Sequence, residues 1–540
     1  MTVDKLKQSY EDVPYASLSY PQTHPDRLRM LAMLMGMEPA PLDGCRVLEL
    51  GCAVGGNIIP MAYGLPESSF LGIDFSPGQI KTAQSFVDGL ELKNIQLMQA
   101  DILSLSVDIG KFDFIIAHGV YSWTPANVRE KVMEIFKNNL AANGVAYLSF
   151  NAYPGWHMQG AMRNMMRYHT REIDDNKKRL DEAQHLIGFL AKSVDTKGQY
   201  GVFLNAYQNL LNIYNQFDIR RRKDVQDDEF GLIHDDLGEV NDAFYFNEVI
   251  THASQHGLQY LIGADYSQSV IENLKSETAE TLLDMSNNII EMEQYLDFLR
   301  NNNFRQILLC HEEIDVKRSI KPNKSWLHKF YAAIHTKPDM DNDTLVLRGE
   351  YNKVFSTDHP VSQAALVYLH QVAPKSIQLQ KLLEQAVMNV YEKELDSLDK
   401  SVVEQETKGL LDSMFTAFSK DMILVEFRSS EPDFVITSGE KPLASHLARW
   451  QVQQGCTKVT NSRHETLGLE PMSAFLLPYL NGENDRDALL TIMCELVQKG
   501  VVTLANEEGQ VTGAEAIHTI LTHELEKSLR WLGRVALLES

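Results

Sequence analysis

A chain of 540 residues is too long for one hydrophobic core, which rarely grows past about 250–300 residues, so three or four domains are expected. Its 44% hydrophobic content is that of an ordinary globular protein. The formal charge of −23 excludes a nucleic-acid backbone as the main partner, because no chain-wide basic field exists to displace condensed counterions.

The dense basic run Arg220-Arg221-Arg222-Lys223 is flanked by Asp218 and Asp224 and is read as a solvated helix face. Five scattered cysteines, Cys45, Cys52, Cys310, Cys456 and Cys494, show neither CxxC nor Cys/His ligand spacing. No metal site and no disulfide framework is therefore expected, which suits a reducing cytoplasm. Residues Met1–Tyr10 lack the apolar core of a signal peptide, and no apolar run approaches the ~20 residues that span a bilayer, so a cytoplasmic chain without membrane insertion is expected.

In chain order the pattern predicts strand 45–50, helix 56–64, strand 69–74, helix 77–90, strand 94–99, strand 112–117, helix 125–140 and strand 144–150. Strands and helices in alternation make a doubly wound parallel sheet of the α/β class. Residues 157–197 and 200–217 read as long helices with few breakers, suited to packing or to a dimer arm. A helix at 246–256 leads into Leu258–Ile262, and another at 289–300 leads into Phe304–Cys310. These apolar runs are expected to return to the same sheet as its sixth and seventh strands, because a sheet ending at strand five would expose a long apolar edge.

Beyond residue 315, residues 360–428 and 440–540 share a plan of apolar helix, gap, second helix and a helix running into a β-rich end. Two winged-helix-like units fit that plan. The second follows Asp485-Arg486-Asp487 and ends near Glu507-Glu508 with no basic recognition face, so docking of a protein is expected rather than of DNA. The acidic stretch 393–408 reads as a solvated helix or linker, and Arg463-His464-Glu465 as a hydrogen-bonded turn in a surface loop.

The chemistry is concentrated at strand ends. Glu49-Leu50-Gly51-Cys52-Ala53-Val54-Gly55-Gly56 is an apolar strand ending in an acid and a small-residue turn, where Gly51, Ala53 and Gly55 clear space for a ligand and a following helix offers free N–H groups. The next strand ends in Asp74-Phe75, at the distance where a nucleotide fold places its ribose carboxylate, and the third runs into Asp101-Ile102. Three carboxylates repel a pyrophosphate. They suit S-adenosylmethionine, which is a sulfonium cation with an α-ammonium group, two hydroxyls and an exocyclic amine. The pattern resembles class I S-adenosylmethionine-dependent methyltransferases, and that resemblance implies a cofactor site of Glu49, Gly51, Cys52, Ala53, Gly55, Asp74, Phe75, Asp101, Ile102 and His118.

Two further loops leave carboxyl ends of strands: His118-Gly119-Val120-Tyr121-Ser122-Trp123 and Asn151-Ala152-Tyr153-Pro154-Gly155-Trp156-His157. They are rich in aromatic and amide groups for turns. Tyr121, Trp123, Asn151 and Tyr153 are the candidates for orienting an acceptor amine, with aromatic faces turned to the sulfonium.

The loops, together with Ser9-Tyr10-Glu11-Asp12-Val13-Pro14-Tyr15, Pro21–Leu28 and Asn241-Asp242-Ala243-Phe244-Tyr245-Phe246-Asn247-Glu248, resemble bacterial methyltransferases that carry a methyltransferase regulatory domain. The similarity is strongest to rickettsial-type protein lysine methyltransferases, which modify outer-membrane proteins. It implies a seven-strand Rossmann-like sheet with a helical insert, a C-terminal winged-helix region, a homodimer, and a leader in which Tyr15 and His24 help to close the cofactor site. The expected division is a core at 1–164, an insert at 165–230, a return to the sheet at 231–315, a middle domain at 316–428 and a C-terminal domain at 429–540. A protein amine is the expected acceptor. A small-metabolite methyltransferase with assembly domains is the alternative, and a non-catalytic cofactor-binding module the least favoured.

Overall fold

The computed structural model describes residues 18–209, 237–349, 353–432, 434–502, 504–506, 509–510 and 513–540. Tyr15, the basic run 220–223, Glu507-Glu508 and the later part of the insert lie outside them. The chain divides into two compact units, one of residues 31–316 with the N-terminal residues to 18, the other of residues 19–30 with 317–540.

The first unit is built on one mixed sheet. Strands β1 (Arg46–Leu50), β2 (Ser69–Asp74), β3 (Ile95–Gln99), β4 (Phe112–Ala117) and β5 (Leu140–Ala152) are followed by β6 (Ala243–Phe244), β7 (Leu258–Gly263) and β8 (Phe304–His311). Their spatial order is β3-β2-β1-β4-β5-β8-β7, with the two-residue β6 beside β5. The first five run parallel, and β8 is antiparallel to both β5 and β7. The chain thus returns to complete its own sheet at the two predicted runs. Along β1, β2 and β4 burial is nearly continuous, as expected when helices cover both faces.

Helices Ala126–Asn139 and Phe246–Gln255 cover one apolar cluster, which joins Val132, Met133 and Phe136 to Phe246, Val249 and Ala253 over the strand residues Leu148, Phe150 and Leu309. The returning strand is held by ions as well as by apolar area. Arg305 on β8 is 2% exposed and reaches Asp297 Oδ1 at 2.7 Å and Glu293 Oε2 at 2.8 Å, both on helix Ile289–Arg300. Tyr260 of β7 donates to the other Glu293 oxygen at 2.8 Å, so one buried charge group ties both late strands to the crossover helix.

The stretch 157–197 is two helices rather than one. Trp156–His169 and Asn176–Ser193 are separated by a turn, and Asp175 caps the second by accepting from the Lys178 N–H. An aspartate that satisfies a helix start is better placed at a boundary than inside a helix. Their apolar stripe, Met162, Met166, Ala183 and Ile187, is buried together with Leu204 and Tyr207 of the next helical stretch.

In the second unit a three-stranded sheet of Tyr331–Ala333, Ile377–Gln378 and Glu426–Arg428 packs with helices Pro360–Val372, Leu379–Tyr391 and Lys400–Lys420 around Trp326, Phe330, Phe418 and Phe427. The expected solvated segment 393–408 falls partly in the last of these helices. There Glu406 is buried and takes an ion pair from His359 at 2.9 Å, because its helix position faces the neighbouring helix rather than water. A second apolar cluster, with Leu477, Leu489, Leu521 and Leu532, organises residues 444–538.

Arg463 and His464 correct the surface-loop expectation. Both are buried, and Arg463 reaches Glu426 Oε2 at 3.0 Å while Arg428 takes Glu426 Oε1 at 3.0 Å. Burial opposes the charge of Glu426, but the two guanidiniums beside it hold its carboxyl well below the usual carboxylate range.

Replacing Arg305 with Met would leave Glu293 and Asp297 buried without a cation, at a cost of about 3–5 kcal/mol. We expect the unfolding transition of the first unit to fall in urea or heat while that of the second unit stays in place. Coincident, unshifted transitions would contradict this.

Candidate functional site

All five parallel strands end on the same edge of the sheet, so the turns after β1, β2 and β3 and the loops after β4 and β5 share one rim. That is where open α/β sheets bind ligands. At β1, Gly51 has φ +72° and donates to the Ile73 carbonyl at 2.8 Å. A Cβ there would lie 2.9 Å from the Val120 side chain, so glycine is required by backbone and packing as well as by any ligand. Asp74 holds the turn from the next strand, accepting from the Ala53 N–H and the Ser76 N–H, each at 2.9 Å. The Phe75 N–H also bonds to this carboxylate, and three donors on two oxygens still leave acceptor capacity for a ribose hydroxyl.

Glu49 is buried, and Asn57 donates to its Oε1 at 2.6 Å. Asn57 stands at the N-cap of helix Ile58–Gly64 yet makes no capping bond with its side chain. Glu49 Oε2 is buried with no hydrogen-bond partner among the described residues. Burial pushes this carboxyl up to about 7, against the Asn57 bond that lowers it. A buried acceptor with an open lone pair beside a glycine turn fits the α-ammonium group of S-adenosylmethionine. Asp101 accepts from the Leu103 N–H at 2.9 Å and starts the short helical turn Ile102–Ser104. Among the described residues none of these three carboxylates pairs with a lysine or arginine, which leaves no fixed positive charge beside them to oppose a cationic ligand. Cys52 is buried and Phe75 half-buried on the same turns.

His118 follows β4, and its Nδ1 lies 3.0 Å from the Tyr147 hydroxyl. Burial lowers its pKa to about 4, so the ring is neutral at physiological pH and adds no charge against the sulfonium. His24 belongs to the second unit, where its ring lies 5.2 Å from that of His464, and desolvation lowers its pKa to about 4.

Three of the acceptor-side candidates, Tyr121, Asn151 and Tyr153, are drawn together by β6, which the sequence pattern did not reveal. Asn151 donates its backbone N–H to the Ser122 hydroxyl oxygen at 2.8 Å and its Nδ2 to Asn241 Oδ1 at 2.6 Å. Tyr153 donates its N–H to the Phe244 carbonyl at 3.0 Å, and its ring stacks on His157 with centroids 4.1 Å apart. Burial pushes the Tyr153 hydroxyl pKa up. Tyr121 is buried, and its hydroxyl is engaged with His252 Nδ1 at 2.8 Å. Trp123 ends the same turn, half-buried. A cleft of about 530 Å³ is lined by Tyr153, Trp156, His157, Arg163, Asn241 and Phe244, among others. Asn241 and Phe244 come from a segment some ninety residues away in the chain, and Ser122 and His252 were likewise not singled out; only the shared family motif at 241–248 pointed there.

Three family profiles match the chain: "Methyltransferase domain" over residues 41–188, "Predicted methyltransferase regulatory domain" over 228–311 and "PKMT, C-terminal winged helix domain" over 440–537. The uncharacterized protein RP789 of Rickettsia prowazekii is 32% identical over 535 residues, which is 96% of this chain and 92% of that one. The structure of PKMT2 from Rickettsia typhi in complex with AdoHcy superposes with a TM-score of 0.83 at 26% identity, covering 98% of this chain and all of the other. The chain belongs to the rickettsial-type class I methyltransferases.

It is an S-adenosylmethionine-dependent methyltransferase with a C-terminal winged-helix domain. The donor set described above, with acceptors at Glu49 and Asp74 and no lysine or arginine paired to either among the described residues, agrees with that cofactor. In this methyltransferase, Asp74→Ala removes a charged acceptor for two hydroxyls and is expected to weaken cofactor binding by about 1–3 kcal/mol. Isothermal calorimetry with S-adenosylhomocysteine measures it directly, and unchanged affinity would place the ribose elsewhere.

Glu49 yields a pH-dependent expectation. Its folded pKa of about 7 lies above the ordinary 4.5, so the unliganded protein holds a proton that the unfolded chain has lost. That contribution to stability is present below pH 4.5 and fades as pH rises through 7. An ammonium group needs the ionised carboxylate, so binding near pH 6 is expected to expel close to one proton, and affinity to rise toward pH 8. Calorimetry in buffers of different ionisation enthalpy reads the proton count, and Glu49→Gln should abolish it.

Proposed function

We propose that this methyltransferase modifies the side-chain amine of a protein lysine. The observation that carries the reading is its likeness over nearly the whole chain to PKMT2, together with a C-terminal region matched by a winged-helix profile described for PKMT. When bound, S-adenosylmethionine supplies an electrophilic methyl group; the protein's own residues prepare the amine.

The cleft beside β5 and β6 suits that task. Its walls are aromatic rings and neutral amides, and its two charged groups are already engaged: Asp242 with Arg129 at 2.9 Å, and Arg163 with the Gly238 carbonyl. An alkylammonium entering such a lining loses hydration without gaining a free counter-ion, so its pKa falls and its proton passes to bulk water. Asn151 and Asn241 offer amide oxygens to orient the free amine, while Tyr153 and Phe244 flank the aliphatic stem.

We assign Tyr121, Trp123, Asn151 and Tyr153 to the acceptor side, with Tyr121 holding the loop through His252. Cys52, Phe75, Asp101, Ile102 and His118 complete the cofactor wall. The protein substrate is expected to be an outer-membrane protein met in the cytoplasm before export. No described helix is long and apolar enough to cross a membrane. Dimerisation through the insert is part of the same reading: although its main stripe is buried internally, Phe189 and Val202 remain 57% and 58% exposed.

Asn151→Ala is expected to lower turnover on the order of 10²-fold with cofactor affinity within about threefold of wild type, because it removes an acceptor that only the amine uses. The wider test is incubation with methyl-labelled cofactor and a lysate of the source cell, with proteins and metabolites separated before mass spectrometry. Label on protein lysine supports the proposal. Label confined to small molecules makes this a metabolite enzyme.

A further inference from the structure

The loop candidate Tyr121 leads away from the cleft to a cluster that the reaction does not use. Its hydroxyl meets His252 Nδ1, and the other ring nitrogen, His252 Nε2, lies 3.0 Å from Glu130 Oε2. One helical turn further on, His256 Nε2 lies 3.0 Å from Glu130 Oε1. The three ligand atoms all fall within 4.8 Å of one another. Two of them come from helix Phe246–Gln255 and its C-cap, spaced four residues apart on one face, and the third from helix Ala126–Asn139. The imidazoles are mostly shielded, at 20% and 15% side-chain exposure.

We propose that Glu130, His252 and His256 form a binding site for a divalent transition metal, with zinc as the expected ion. Three features favour it. Nitrogen and carboxylate donors in a two-to-one set match zinc sites that keep one position for water, and ligand atoms on such an ion stand about 3.3 Å apart when bonds are about 2.0–2.1 Å, so only small side-chain adjustment is needed. The i, i+4 histidine pair is fixed by the helix before any ion arrives. The Tyr121 hydroxyl can accept the His252 Nδ1 proton, which sets the tautomer that leaves the Nε2 lone pair for a metal; partners of this kind orient metal-binding histidines.

An ion held here would clamp the regulatory segment, where residues 246–256 lie, to the core helix that follows the Tyr121 loop. Its chemistry is positional, since the ligands surround no part of the described cofactor turn.

The full-length protein, stripped with a chelator and dialysed, is titrated with zinc chloride in a calorimeter and with cobalt chloride while visible absorption is recorded. The expected result is one ion per chain, a cobalt spectrum of tetrahedral intensity, and a melting temperature that rises with zinc. His256→Ala and Glu130→Gln should each weaken zinc binding at least tenfold and remove the melting shift, whereas His169→Ala, at an exposed pair elsewhere, should not. Glu130→Gln preserves side-chain volume, so its effect is read on folded protein even if the histidine variant is unstable. Absence of stoichiometric binding by wild type, or equal affinity in wild type and both variants, would show the cluster to be an ion-paired contact between helices and overturn the proposal.

Discussion

The pairing of β8 with β5 is the constraint on which the catalytic unit depends. Antiparallel register from Ala146 opposite Leu309 to Asn151 opposite Phe304 closes a sheet that would otherwise end on the apolar edge of β5. That closure has a steric signature: a Cβ on Gly155 would stand 2.5 Å from the Asn301 carbonyl oxygen, so the loop leaving β5 and the turn entering β8 touch backbone to backbone. The Arg305 group adds a specificity that apolar area lacks, because its two carboxylates and the Tyr260 hydroxyl must all be met at once.

The cleft beside β5 is a by-product of that return. Before β7 begins, the chain lays Ala243–Phe244 beside the end of β5, opposite Asn151 and Ala152. A wall of the cleft is therefore contributed by the segment whose onward path completes the sheet. A substitution that loosens β8 would reach the acceptor side through backbone position, with no change to any residue lining the cleft.

Electrostatics divides the rim in two. Around the turn after β1 the carboxylates stand without fixed cations, and one of them, Glu49, is desolvated enough to be half protonated near neutrality. Toward β5 the lining is mostly aromatic and amide, with Asp242 paired to Arg129 and Arg163 hydrogen-bonded to the Gly238 carbonyl. A cationic cofactor and, in the proposed reaction, an amine that must shed its proton have opposite needs, which the two ends of this rim, two strands apart, would suit.

The strand-turn-helix signals of the first 150 residues were legible because each is local: apolar runs of strand length, an acid at the end of each of the first three strands, small residues where φ is positive. Glu49, Gly51, Asp74 and Asp101 follow from that grammar. Even the return at 258–263 and 304–310 was legible, since buried strands must be apolar whatever their partners. What the chain could not declare was which distant groups share a site. Asn151 meeting Asn241, Tyr121 meeting His252, and Glu130 meeting two histidines over a hundred residues away depend on sheet order and helix placement, which periodicity does not encode. The same holds for Arg463, a polar residue that looks solvated until tertiary packing buries it against Glu426. Local sequence thus determined the elements and the cofactor turn by short-range stereochemistry, while the acceptor cleft and the buried charge groups were decided by tertiary structure alone, because long-range contacts arise only once the sheet has closed.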